Sequence, residues 1–75
     1  MTERQLAKLF ARAAELLWGR NWQTPLAEAL DVDPRTVRRW VRGGGWSELV
    51  PGVLADQLRM QQSAAAGLIQ ELERL

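Results

Sequence analysis

The sequence predicts an all-α fold, a small helical domain with a three-helix core over residues 1–50 and a C-terminal helical segment over residues 51–75. Three observations carry that reading. Leu6, Leu9, Phe10, Ala13, Leu16 and Leu17 repeat with the period of a helix. Two short stretches then open with the same device, Thr24-Pro25 and Asp33-Pro34, in which a capping side chain precedes a proline suited to the first helical position. From Pro51 onward, Leu54, Leu58, Gln61, Ala65, Leu68, Leu72 and Leu75 follow alternating steps of four and three, a heptad-like seam.

Each element has its own signals. The first helix starts at Thr2, which forms a capping-box pattern with Gln5, and Gly19 is its natural stop. Its polar face carries Arg4, Lys8, Arg12 and Glu15, which read as solvated surface. The second helix is expected over residues 25–30 and the third over residues 34–42, with only Asp31, Val32 and Asp33 between them. A connection that short is the length of a helix-turn-helix. Gly43, Gly44 and Gly45 terminate the third helix. In the last segment Gly67 weakens the helix by about 1 kcal/mol relative to Ala, which marks residues 63–67 as the place for a bend or break. Trp18, Trp22, Trp40 and Trp46 are assigned to the core, where large aromatics help a chain of only 75 residues to fold.

Composition removes several classes of function. The chain has no cysteine and no histidine, so it has no disulfide, no thiol chemistry, no imidazole base and none of the usual zinc ligands. No metal or cofactor is expected, and no enzyme: Glu28, Asp31 and Asp33 read as helix-surface, turn and cap residues. A hydrophobic share of 47% with 25% charged residues belongs to a folded domain and not to a disordered tail. Neither a bilayer-length apolar run nor a signal-peptide core is present, so a cytoplasmic protein with no membrane partner is expected. Net charge is only +1, yet residues 1–45 hold eight basic and five acidic side chains while residues 46–75 hold two and four. Attraction to a polyanion follows such local fields and not the total.

Four of those eight basic side chains lie on the third helix, with no acidic one among them. Arg35, Arg38, Arg39 and Arg42 recur at i, i+3, i+4 and i+7, which gathers them into an arc of about 100°. Val37, Trp40 and Val41 fall on the opposite side, and no Asp or Glu interrupts residues 34–45. One face would enter a core while the other presents a row of guanidinium groups. Such a helix suits the major groove of DNA, where Arg pairs two donors with guanine acceptors or neutralises phosphates.

Residues 23–42, QTPLAEALDVDPRTVRRWVR, resemble the twenty-residue helix-turn-helix of bacterial and phage repressors of the Cro and lambda-repressor type. That pattern asks for apolar residues where this chain has Leu26, Leu30, Val32, Val37 and Trp40, and for a small residue where it has Ala27. It departs at the turn, where Asp31 replaces the usual Gly at some expense in local stability. The resemblance implies a recognition helix over residues 34–42. Arg35, Arg38 and Arg39 would reach base edges, Thr36 would lie at the margin, and Arg42 would meet a phosphate. It also implies backbone contacts from Gln23 and Thr24, to which Arg20 and Asn21 could add.

One such helix reads only a few base pairs, so a homodimer on an inverted repeat is expected, with its two helices about 34 Å apart. Leu68, Ile69, Leu72 and Leu75 are the candidate dimerisation residues, while Val53, Leu54 and Leu58 can pack internally. The function expected is that of a repressor or autoregulator of the prophage or anti-CRISPR-associated kind, with double-stranded DNA as its partner and no small-molecule ligand. Two other readings remain: an antitoxin or adaptor that binds protein, and a terminase-like accessory domain that binds DNA in a higher oligomer.

Overall fold

Where each helix begins follows from how its first N–H groups are satisfied. The computed structural model describes residues 2–75 and contains α1 (Glu3–Trp18), α2 (Gln23–Leu30), α3 (Pro34–Gly43) and α4 (Val50–Glu73). Thr2 caps α1 as expected. The Gln5 N–H donates to the Thr2 hydroxyl at 3.2 Å, and the Thr2 N–H donates to the Gln5 side-chain oxygen at 2.8 Å. Gly19 closes α1 at φ 81°, a conformation that disfavours any residue with a Cβ, and its N–H donates to the Glu15 carbonyl at 2.8 Å.

The start of α2 corrects the sequence-based expectation. Thr24 is not a cap: the helix begins at Gln23, preceded by Trp22 in helical conformation, and no side chain caps it. Trp22 is buried, and anchoring its indole draws the chain into helical geometry before Thr24 is reached. Pro25 still lies within the first turn, where an N–H has no intrahelical partner to lose. At the other end Asp31 adopts the left-handed conformation (φ 58°, ψ 46°), and the Val32 N–H donates to the Ala27 carbonyl at 2.9 Å. That bond pattern is the Schellman stop. Asp33 then caps α3, accepting the Arg35 N–H at 2.8 Å, with Pro34 in the first turn.

The core is built from all four helices: Phe10 and Ala14 of α1, Trp22, Leu26 and Ala27 at α2, Val37 and Trp40 of α3, and Val50 and Leu54 of α4. α2 packs chiefly on α3 and α1 chiefly on α4, with α2 also touching both α1 and α4. Ala27 is fully buried, as the close crossing of α2 and α3 requires. Trp46, after the glycine run, meets the edge of Phe10 at 5.1 Å between ring centroids and the Trp40 ring at 5.8 Å. These contacts fasten the loop before α4 to the core. Gly44 ends α3 at φ 81°, and a Cβ there would collide with the Glu3 carboxylate of α1.

Three apolar expectations fail. Leu9 and Leu16 of α1 are 45% and 71% exposed, and Val41 of α3 is 41% exposed. All three lie to one side of the arc their helix turns toward the core, so helical period alone placed them too generously. The last helix also differs: it starts at Val50, ends at Glu73, and runs through Gly67 without a break. A Cβ at Gly67 would meet nothing within 4 Å beyond its own helix, so the glycine only loosens an open stretch. Leu54 is buried and Leu58 half-buried, but every residue from Arg59 to the end is exposed. A 24-residue helix is about 36 Å long, so its second half stands clear of the core. The Cα radius of gyration is accordingly 14.4 Å, with extents of 49 × 26 × 20 Å. A compact chain of this length would have about 11 Å. No helix is long and apolar enough to cross a membrane among the described residues.

Candidate nucleic-acid interface

α3 turns two different faces to its surroundings because its inner one is fixed. Val37 is fully buried and Trp40 nearly so, which locks the rotation of the helix about its axis. Arg35, Arg38, Arg39 and Arg42 consequently all point away from the core and are exposed. At about 100° per residue, Arg38 stands at one edge of the arc and Arg39 at the other, with Arg35 and Arg42 between them. Thr36 lies half-buried at the margin.

The four arginines are not equivalent. Arg35 is engaged by the cap residue: its Nε donates to Asp33 Oδ1 and its Nη2 to Asp33 Oδ2, each at 3.3 Å. Its guanidinium, followed by its backbone N–H, holds the Asp33 carboxyl below the ordinary carboxylate range. Among the described residues no carboxylate lies within ion-pair distance of Arg38, Arg39 or Arg42. Three guanidinium groups are thus free to meet an anion without first leaving a partner. The Asp33–Arg35 pairing was not anticipated from the stripe, although the i, i+2 spacing of cap and arginine is visible in the sequence.

Two surface depressions flank the arginine row and bring other elements to it. One, of about 350 Å3, is lined by Arg20, Asn21, Gln23, Thr24 and Arg38. It joins the start of α2 to one edge of α3. With no capping side chain on α2, the N–H groups of Gln23 and Thr24 have no acceptor among the described residues. Free amides and the positive end of the helix both favour an anion there. The other depression, of about 480 Å3, is lined by Arg35, Arg39, Arg42 and Gly43.

A further residue escaped the sequence reading. Arg4 of α1 lines the same cleft as Arg42, together with Glu3, Ala7, Val41 and Trp46. The helical period places it only on the solvated face of α1, where it is indeed exposed. Its proximity to the end of α3 is a tertiary relation with no local signal, since Arg42 lies 38 positions further along the chain. Arg4 extends the basic surface past the C-terminal end of α3, although Glu3 beside it limits the gain. The dimerisation candidates lie elsewhere: Leu68, Ile69 and Leu72 on the outer half of α4, and Leu75 beyond its end, all exposed. No protein-family model, curated protein or solved structure matches the chain.

Proposed function

We propose that the protein is a transcriptional repressor that binds double-stranded DNA as a homodimer, with α3 in the major groove. One observation carries this reading: three unpaired arginines project from a helix whose opposite face is locked into the core, beside an uncapped helix start. Binding free energy for DNA comes largely from neutralised phosphates, and discrimination from donors that reach base edges. Arg38 and Arg39, at the two edges of the arc, are the base readers. Arg42, at the C-terminal end of α3, and the free amides of Gln23 and Thr24 hold the sugar-phosphate backbone. Arg35 reads bases only on releasing Asp33, and so contributes least.

Repression would follow from occupancy of a promoter, and the DNA upstream of the protein's own gene is the first candidate site. Methylation interference on that duplex tests the groove assignment. Methyl groups on guanine N7, which lies in the major groove, should block binding in two clusters about one helical turn apart. Interference confined to the minor groove, or none at all, would refute a major-groove α3.

The exposed apolar side chains of α4 also support a second reading, in which the protein is an adaptor that binds another polypeptide. A strictly monomeric chain with no affinity for duplex DNA would favour it.

A further inference from the structure

We propose that two copies pair through α4 in antiparallel fashion, crossing at Ala65, with Leu72 of each copy seated in a notch between α1 and α4 of the other. This rests on the homodimer of the preceding section and not on DNA binding.

The notch is lined by Leu16, Leu58, Gln61, Gln62 and Ala65 and measures about 360 Å3. It lies where α4 leaves the core, and it includes Leu16, whose exposure broke the expected pattern of α1. An apolar stripe leads away from it. At about 100° per residue, Leu54, Leu58, Gln61, Ala65, Leu68, Ile69 and Leu72 share an arc of roughly 100° along α4. Within the chain α1 covers the beginning of that stripe, and nothing covers the rest.

The missing charge and the apolar notch beside it identify the occupant as a second copy. Residues 60–70 are all exposed, yet they include no Asp, Glu, Lys or Arg. A helix bathed in water ordinarily carries charges on such a stretch, whereas a neutral one can meet its own copy without like-charge repulsion. In a twofold contact, if residue i meets residue j, then j meets i. A crossing at Ala65 supplies such pairs, and it sets Leu58 of each copy against Leu72 of the other. Leu58 and Leu72 lie seven positions to either side, Gln61 and Ile69 four, and Gln62 and Leu68 three.

In that register each half-buried Leu58 receives the partner's Leu72, and the two notches are filled reciprocally. Ala64, Ala65 and Ala66 at the centre let the two backbones approach closely. The acidic end of the partner's α4, with Glu71 and Glu73, is carried toward Arg12, one turn before Leu16 on α1.

The absence of cysteine makes single-cysteine variants clean reporters. Leu16→Cys, Ala65→Cys and Leu72→Cys all change exposed positions, so the fold should be retained. Each is treated with a short bismaleimide in the absence of DNA. Ala65→Cys alone should yield a crosslinked dimer. Leu16→Cys and Leu72→Cys should yield one only when mixed. A crosslink of Leu72→Cys to itself would mean parallel helices and would overturn the register. Crosslinks from none of these, or a monomer by sedimentation velocity, would overturn the pairing altogether. If crosslinks form as described but duplex DNA is not bound, only the repressor reading fails.

Discussion

Asp31 ends α2 in the left-handed backbone conformation, the one non-glycine residue with positive φ among the described residues. Gly is usual at this position of the twenty-residue pattern that residues 23–42 resemble, and Asp31 holds φ 58° there. A non-glycine residue there is strained, though Asp less than most. Asp31→Gly should therefore stabilise the fold by about 0.5–1 kcal/mol. The melting temperature would rise by roughly 2–8 °C; an unchanged or lower value would show that the Asp side chain compensates for the strain. Asp33 is legible for a different reason, because a cap before proline is a local device. Its carboxyl is held below the ordinary value of about 3.9 by the Arg35 guanidinium first and the Arg35 N–H second. A carboxyl lowered in the folded state adds stability that is complete above its unfolded pKa and lost as pH falls through the folded one. Between pH 5 and 3 the wild type should thus lose more thermal stability than Asp33→Asn, which keeps the accepting oxygen without the charge. Parallel melting curves for the two would contradict this. At Thr24 the same Thr-Pro device is overridden by tertiary packing, the burial of Trp22 two residues earlier. Among the arginines, Arg38→Ala or Arg39→Ala should lose about 1–3 kcal/mol on a specific site and relax base preference locally. Arg42→Ala should weaken all sequences evenly and flatten the salt dependence. Identical behaviour in the three variants would remove the distinction between readers and holders.

At the scale of elements, α3 was the most legible because its two faces differ so sharply in chemistry. Val37 and Trp40 against four arginines leaves only one rotation compatible with a core. Trp40→Ala should cost roughly 3–5 kcal/mol, measured by denaturant unfolding, and would release both α3 and its contact with Trp46. Retention of most of the stability would show that the helix is held in place by something other than its indole. α1 was legible in extent, through its capping box and Gly19, but not in its contacts. Leu9 and Leu16 share the helical period of the core residues, and only the position of α4 determines that they stay open. α4 was legible as a helix and as a stripe. Its continuity through Gly67 was not, because one weak residue in a long hydrogen-bonded run costs only about 1 kcal/mol and does not end it.

For the whole molecule, the elongated shape separates two surfaces that the sequence also keeps apart: a basic one centred on α3 and a charge-free one over residues 60–70 of α4. Both were readable as periodic patterns within one helix. What joins them was not. Arg4 beside Arg42, Arg20 and Asn21 beside Arg38, and Leu16 beside Leu58 are relations between helices that depend on how the core packs. The separation allows a dimer to form without hiding the arginines, which a twofold DNA-binding protein requires. If α3 is a recognition helix, its arginine face must distinguish duplex DNA by sequence. The most direct test is fluorescence-anisotropy titration of the wild type and the Arg38→Ala/Arg39→Ala double variant, at about physiological salt. The duplex upstream of the gene and a scrambled duplex of equal length would be compared. The wild type should prefer the native duplex by on the order of a thousandfold, and the double variant should lose most of that preference while keeping weak, salt-sensitive binding. Equal affinity of the wild type for both duplexes, or a preference that survives the double substitution, would contradict recognition by α3.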